Sequence, residues 1–336
     1  MPPRGLKTWS NIKHRYRHCL ILGNGASIAL HDNFRYGSLL EYARIHGLIS
    51  QRVRRVFDQF STNDFESAIR LLSQGRLLNL ALGIRERKTS NAEKSVRSGL
   101  IRTIQSIHPR YADVSLYLPD FARWLRNFHT IVSLNYDLLL YWARMYANDD
   151  DPSVTFKDCF ANSYFRHDWR ALRKPIRSAK RSVLVFYPHG NLALAVDDSG
   201  HERKIVVGSS SNLLSQILSR WRDDAWRPLF VSEGSSTDKL ATIYQSRYLT
   251  TVLDEVLASA WPSILVVGWS FRDEDDHILE AALSANPRRI GISVHSQNPD
   301  WREFRDRVIP KIRGRLPPRF RPETEFFDAA TLPFAG

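Results

Sequence analysis

Cysteine is scarce in this chain of 336 residues, which contains only Cys19 and Cys159. Two thiols exclude a disulfide framework and any zinc ribbon that needs four cysteines. No apolar run approaches the roughly 18 residues that a bilayer-spanning helix requires. The basic N-terminus is not followed by an apolar stretch of about 7–15 residues, so no secretory signal is predicted. We therefore expect a protein of the reducing cytoplasm that has no membrane partner.

Acidic residues are outnumbered, because 35 Asp and Glu face 48 Lys and Arg, which leaves a formal charge of +13. The excess is concentrated in residues 1–17, 166–182 and 302–321. Such a field attracts nucleic acid, an acidic partner or a multiply charged nucleotide. A solvated basic surface without a specific ligand explains the same charge, and aromatic residues are not interleaved at the spacing of a nucleic-acid-binding module.

Four apolar runs, each followed by a short polar motif, predict four buried strands. The pairs are Cys19–Leu22 before Gly23-Asn24-Gly25-Ala26-Ser27, Thr130–Leu134 before Asn135-Tyr136-Asp137, Val183–Tyr187 before His189-Gly190, and Ile264–Val267 before Gly268-Trp269-Ser270. Ligands of open parallel α/β sheets bind outside the carboxyl ends of the strands. The four motifs are therefore predicted to share one pocket.

The spacing of apolar residues predicts an α/β fold with a Rossmann-like, doubly wound, mostly parallel sheet. Residues 37–128 show helical periodicity and no convincing strand, as in the run from Phe65 to Leu72 behind the N-cap candidate Asp64. We expect these residues to form a helical subdomain inserted between the first two strands. The predicted division is a basic segment 1–17, the Rossmann-like domain 18–36 and 129–300, the insert 37–128, and a basic segment 301–336 that completes the domain.

Further elements, among them a helix at about 212–225, are predicted after the strand at 183–187. They also include a hairpin partner for that strand near 204–208, a strand at 228–232 and one long helix at 237–259.

The first motif, Gly23-x-Gly25-x-Ser27, follows a strand and opens a helix. Glycines at such a turn let the backbone approach a pyrophosphate. Ile28 stands where the usual dinucleotide fingerprint has its third glycine, and no Lys-Ser/Thr pair indicates a P-loop. A tight strand–helix turn without a ligand explains two glycines as well.

The next two motifs carry groups suited to acid–base and hydrogen-bonding chemistry. Asn135 and Asp137 offer donors and acceptors that suit a ribose and a carboxamide, but both residue types also cap helices. His189 can be neutral near pH 7 and accept a proton from a ribose hydroxyl or a water. The fourth motif extends to Asp273 and Asp275, whose carboxylates can bind ribose hydroxyls or cap the following helix.

Taken in this order, the four motifs resemble the sirtuin (silent information regulator) superfamily, and in particular the bacterial sirtuin-like proteins of antiphage defence. Several stretches resemble one uncharacterised bacterial branch of that group: Leu22-Gly23-Asn24-Gly25, Phe34-x-Tyr36-x-Ser38-Leu39-Leu40, Asn63-Asp64-Phe65-Glu66 and Phe230-Val231-Ser232-Glu233-Gly234. The resemblance covers about residues 18–285.

The resemblance implies an NAD site in which Asn135 positions the nicotinamide ribose and the attacking water. His189 is implied as the general base that acts on a ribose hydroxyl, and Asp137 as the group that binds the carboxamide. Phe34 and Arg35 are implied to correspond to the sirtuin Asp-Phe-Arg segment. The implied set that binds the dinucleotide comprises Gly23, Asn24, Gly25, Ser27, Asp137, Gly268, Ser270, Phe271 and Asp273.

The chain departs from sirtuin deacylases because two cysteines cannot form their four-cysteine zinc module. The resemblance therefore favours hydrolysis of NAD to nicotinamide and ADP-ribose, without zinc. Homo-oligomers and a HerA-like hexameric ATPase partner are implied, and nucleic acid remains a partner to consider because of the basic surface. The alternatives are a non-catalytic NAD or ADP-ribose sensor and a nucleic-acid-binding component of a defence complex.

Overall fold

A computed structural model of the chain describes residues 5–35, 38–84, 87–176, 178–208, 210–223, 225–231, 233–297 and 299–334. Tyr36 and Ser232, two residues of the sirtuin-like stretches, lie outside the described residues, as do the outermost residues of both basic terminal segments.

Strands form two sheets. They are β1 (Cys19–Leu22), β2 (Thr130–Ser133), β3 (Val154–Lys157), β4 (Phe160–Ala161), β5 (Tyr164–Phe165), β6 (Arg181–Phe186), β7 (Gly190–Asp197), β8 (Glu202–Lys204), β9 (Trp226–Phe230), β10 (Ser263–Val267), β11 (Arg289–Val294) and β12 (Glu323–Asp328). Seven of them form an all-parallel sheet in the order β12-β11-β10-β1-β2-β6-β3. Every residue of β1, β2 and β10 is buried because helices cover both faces of a parallel sheet. The predicted Rossmann-like α/β architecture is confirmed.

Helices cover this sheet and make up the insert. They are α1 (Trp9–Ile12), α2 (Asn24–Ile28), α3 (Leu39–Ile45), α4 (Gln51–Gln59), α5 (Phe65–Ala81), α6 (Lys88–Ile107), α7 (Tyr111–Val114), α8 (Leu118–Leu125), α9 (Leu139–Asp150), α10 (Leu213–Arg220), α11 (Ser236–Ile243), α12 (Arg247–Thr251), α13 (Asp276–Ser284) and α14 (Trp301–Arg313). Helices α3 to α8 lie between β1 and β2, and the described part of 37–128 contains no strand. The long helix predicted at 237–259 is wrong in detail, because α11, α12 and a π-helical turn at Val252–Leu257 divide it.

The second sheet corrects the hairpin prediction. Five antiparallel strands run in the order β4-β5-β8-β7-β9, so the strand near 204 pairs with β7 and not with β6. The predicted strand at 228–232 corresponds to β9 of this sheet. Gly190 directs the chain from β6 into β7 with a φ of +73°, and an added Cβ would lie 2.1 Å from the Leu229 carbonyl oxygen. Close packing against β9 therefore requires a glycine at this turn.

The chain reverses its direction of travel across the parallel sheet at β1. β2 lies on one side of β1, and β10, which the chain reaches much later, lies on the other. The carboxyl ends of β1 and β10 therefore flank a topological switch point, where open α/β sheets bind ligands. At the far edge of the sheet, β12 pairs in parallel with β11, so described residues of the C-terminal segment contribute a strand.

Candidate functional site

A cleft of about 800 Å³ opens at this switch point. Its wall contains residues of all four sequence motifs: Gly23, Asn24, Gly25, Asn135, Tyr136, His189, Gly268, Trp269 and Ser270. The volume lies within the roughly 300–1,000 Å³ of typical small-molecule sites. The predicted convergence of the motifs on a single pocket is therefore observed in the fold.

Two glycine turns pack directly against each other under this cleft. The Gly25 N–H donates to the Gly268 carbonyl at 2.8 Å, and Gly268 has a φ of +71°. A Cβ on Gly268 would lie 2.1 Å from the Ala26 nitrogen, and one on Gly23 would lie 2.6 Å from the Gly268 carbonyl oxygen. This close contact explains why both turns require glycine. The backbone of the same glycines also forms part of the cleft wall.

Asn135 is held in one orientation by the first turn. Its Nδ2 donates to the Gly23 carbonyl at 3.1 Å and to Ser27 Oγ at 2.9 Å. A carbonyl only accepts, so the amide nitrogen must face this turn. The amide oxygen accepts no hydrogen bond from the described residues, although Asn135 lines the cleft. Asn135 therefore offers a ligand a fixed acceptor.

Ser27 and Asp137 lie behind the cleft wall and not in it, which corrects the direct contacts predicted for them. Ser27 Oγ donates to Asp137 Oδ2 at 2.7 Å, and the other carboxylate oxygen accepts from the Leu139 N–H at 2.9 Å. Both side chains are buried, and neither lines the cleft. Burial raises the pKa of Asp137 to about 6. Asp137 accepts from the first N–H of α9 and, through Ser27, holds Asn135.

His189 meets a second histidine that sequence reasoning did not single out. The Nε2 atoms of His189 and His277 lie 2.8 Å apart, and both side chains are buried. Burial lowers the pKa of His189 to about 3 and that of His277 to about 4. Both rings are consequently neutral near pH 7.

Asp275 lies beside this pair, with its Oδ1 4.0 Å from His189 Nε2. The carboxylate accepts from Lys239 Nζ at 2.7 Å and from Trp269 Nε1 at 3.2 Å. Burial raises the pKa of Asp275, but the charges of His189 and Lys239 and the hydrogen bonds from Lys239 and Trp269 hold it below its ordinary value. An ionised carboxylate therefore faces the cleft.

The remaining residues of the fourth motif do not all reach the cleft. Ser270 lines it, as predicted. Phe271 is buried against Trp269, with ring centroids 4.2 Å apart, and does not line it. The Asp273 side chain is 93% exposed and pairs with Lys311 on the outer surface. Among the carboxylates of this motif, Asp275 and not Asp273 occupies the ligand-facing position.

The amino-acid sequence identifies the family of this chain. Residues 20–333 match a family described as a domain of unknown function, DUF4917. The chain belongs to this family. A comparison with curated proteins finds no match. The family adds no named activity, so the function has to be argued from the cleft.

The cleft is predominantly cationic. Arg35, Lys239 and Arg272 line it with Asp275 as the carboxylate. Arg35 pairs loosely with Asp32 at 3.4 Å, outside the cleft, and both side chains are largely exposed. Sequence reasoning missed Lys239 and His277 because each lies within a helix, where a charged or polar residue carries no signal of its own. The balance of charge favours an anionic ligand.

The described residues were also compared with the requirements of a reactive cysteine, a metal site and a membrane-spanning helix. Cys19 and Cys159 are both buried, and burial raises the pKa of the Cys19 thiol to about 12. In the described ranges, no group of three or more His, Cys, Asp or Glu side chains is arranged to hold a metal ion. No helix in these ranges has the length and hydropathy to cross a bilayer.

Proposed function

We propose that this protein hydrolyses NAD⁺ to nicotinamide and ADP-ribose. The observation that carries the proposal is the meeting of Asn135 and His189 in one cleft with the first glycine turn. The motif likeness to sirtuins supplies the reaction class, and the cationic wall suits a dinucleotide pyrophosphate.

The hydrolysis of NAD⁺ requires the protein chiefly to position the attacking water and the dinucleotide. Water attacks C1′ of the nicotinamide ribose as the glycosidic bond breaks, and the bonding electrons leave with the nicotinamide nitrogen. The released proton passes to His189 or to solvent, so atoms and charge balance. The free amide oxygen of Asn135 is suited to accept from the attacking water or a ribose hydroxyl. His189 Nε2 would accept from a second hydroxyl.

Charged side chains of the cleft also suit the binding of the dinucleotide. Arg35 and Arg272 extend exposed guanidinium groups to the cleft, where they can pair with phosphate oxygens. Asp275 presents a carboxylate of the kind that binds ribose hydroxyls. Asp137 contributes indirectly, because its contact with Ser27 keeps the Asn135 amide in place.

Release of nicotinamide from NAD by the chain of 336 residues tests the proposal. Asn135→Ala and His189→Ala should each lower kcat/KM at least about 100-fold if positioning and proton transfer are lost. The exposed residues Asn91 and His46 offer matched controls, and Asn91→Ala and His46→Ala should leave the rate unchanged. Unchanged turnover in both cleft variants would reject the assigned roles.

As the effector of an antiphage defence system, such an enzyme must stay inactive until it is triggered. We therefore extend the proposal to a homo-oligomer or a HerA-like ATPase partner that raises its activity. One exposed apolar surface supports a protein partner: Leu77, Leu78, Leu80 and Leu82, at the C-terminal end of α5, are 54–72% exposed. Activity of the isolated chain is expected to be low for this reason.

A second candidate function is nucleic-acid binding, at the opposite edge of the sheet. Arg17, His129 and Arg181 lie at the amino ends of adjacent strands β1, β2 and β6. Burial lowers the pKa of His129, and His18 and the nearby arginines lower it further, which indicates concentrated positive charge. Salt-sensitive DNA binding that persists in Asn135→Ala and His189→Ala would support this function. NAD binding without nicotinamide release would instead indicate a sensor.

A further inference from the structure

Three polar side chains from separate elements form a continuous hydrogen-bonded chain at the cleft. Ser236 Oγ, on α11, lies 3.0 Å from Nδ1 of His277, on α13. His277 Nε2 lies 2.8 Å from Nε2 of His189, in the turn between β6 and β7. Both imidazoles are 3% exposed, so water competes little for these hydrogen bonds.

The direction of these hydrogen bonds follows from the role proposed for His189. The backbone of Leu134 also acts on the His189 ring and raises its pKa. A proton acceptor at Nε2 needs its lone pair there, so neutral His189 then carries its proton on Nδ1. His277 must then donate from Nε2 to His189.

The Ser236 end agrees with this assignment. If His277 is protonated on Nε2, its Nδ1 is an acceptor and the Ser236 hydroxyl donates to it. Ser236 Oγ also accepts from the His277 backbone N–H at 3.1 Å. In this set of tautomers, every donor meets one acceptor.

This arrangement leaves neither nitrogen of His189 open to a donor. Nδ1 carries the proton, and Nε2 accepts from His277 at 2.8 Å. A substrate hydroxyl therefore has no free nitrogen to donate to while His277 stays in place.

We propose that His277 is a positioning residue that occupies the acceptor nitrogen of His189 until a hydroxyl of the bound substrate displaces it. This inference rests on the proposed function, because it assumes that His189 Nε2 is the proton acceptor. It also gives a structural reason for the low turnover that we expect of the isolated chain.

The charged groups around His277 offer its N–H an alternative acceptor. Asp275 Oδ1 lies 4.0 Å from His189 Nε2 and is held by Lys239. After burial, Asp275 has the largest influence on the pKa of His277, followed by Lys239 and Asp276. Asp275, whose charge acts on the pKa of both histidines, is the carboxylate that we expect to attract the His277 N–H once it leaves His189.

Two substitutions at position 277 separate the hydrogen bond from the volume of the ring. His277→Phe keeps a ring of similar size but has no donor, whereas His277→Gln can place an amide N–H near the position of Nε2. With NAD as the probe, we expect His277→Phe to raise kcat/KM for nicotinamide release about two- to ten-fold, the range of one neutral hydrogen bond. His277→Gln should stay near the wild-type rate. A fall in His277→Phe, or equal rates in the two variants, would overturn the proposal.

Imidazole nitrogen NMR on the wild-type chain provides a readout that does not depend on turnover. We expect His189 to be protonated on Nδ1 and His277 on Nε2, and we expect added ADP-ribose to shift the His277 Nε2 resonance. The opposite tautomers, or no shift with saturating ADP-ribose, would reject the displacement. Should the expected tautomers and shift appear while no variant releases nicotinamide, the hydrolase proposal fails and ligand displacement of His277 stands.

Discussion

Asp137 Oδ2 accepts a hydrogen bond of 2.7 Å from Ser27 Oγ, across 110 positions of sequence. Ser27 in turn accepts from the Asn135 amide at 2.9 Å. This buried relay ties the first glycine turn to the end of β2. The geometry of the proposed catalytic amide thus depends on a carboxylate that does not touch the cleft.

Asp137 should make stability depend on pH in a direction unusual for an aspartate. Its pKa is raised in the fold to about 6 from an ordinary 3.8. A raised pKa means that its contribution is fully present below the unfolded pKa and is lost as pH rises through about 6. Two pKa units correspond to about 3 kcal/mol.

Urea unfolding of the wild type and Asp137→Asn between about pH 4 and pH 7 measures this effect. The buried histidines titrate with the opposite sign in this window, but they cancel in the difference between the two proteins. We expect the wild type to lose stability relative to Asp137→Asn as pH rises. A difference that stays constant across this range would contradict the raised pKa.

The contact between the glycine turns should be visible in the free energy of unfolding. Gly268→Ala combines a positive φ with a Cβ placed 2.1 Å from the Ala26 nitrogen. Gly47 is a matched control, because its φ is +64° but a Cβ there would meet nothing within 4 Å. Gly47→Ala should cost about 1 kcal/mol from backbone strain alone.

Gly268→Ala should cost about 2–4 kcal/mol more than Gly47→Ala, because the clash is with backbone that cannot rotate away. Denaturant unfolding of both variants gives the comparison. Equal destabilisation would mean that the two turns are not in the close contact described.

Asp275 and Asp273 should differ in their effect on NAD binding. Asp275 lines the cleft, whereas the Asp273 side chain is 93% exposed and pairs with Lys311. Asp275→Asn removes a charged acceptor and should weaken NAD binding about ten-fold by calorimetry. Asp273→Asn should leave the affinity unchanged. Thermal unfolding checks that Asp275→Asn, which leaves Lys239 without its ion partner, remains folded.

Equal affinities for NAD in these two variants would show that Asp275 does not contact the dinucleotide. Weakened binding in Asp273→Asn alone would place the ligand on the outer surface of the fourth motif.

Local patterns in the sequence were sufficient to predict the parallel sheet, the helices between β1 and β2 and the strand-end motifs. Burial of whole strands and the helical spacing of apolar residues are properties of neighbouring positions, so β1, β2 and β10 were predictable. Parallel strands place their carboxyl ends at one edge, which made the convergence of Asn135 and His189 predictable as well.

The antiparallel sheet escaped prediction because β7 is buried almost throughout and shows no alternation. Its course depends on the turn at Gly190, whose close packing involves residues some forty positions away. A sequence pattern contains no information about such a contact.

Packing between distant elements likewise determines which polar side chains line the cleft. Asp137 and Asp275 both follow strands, yet Asp137 is buried against the first N–H of α9 and Asp275 lines the cleft. The pairing of His189 with His277 joins positions 88 residues apart, one in the turn before β7 and the other in α13. Composition and spacing were sufficient to predict that the motifs lie at one edge of the sheet. Register, turn conformation and burial belong to the tertiary structure, and they determine the direction of each hydrogen bond there.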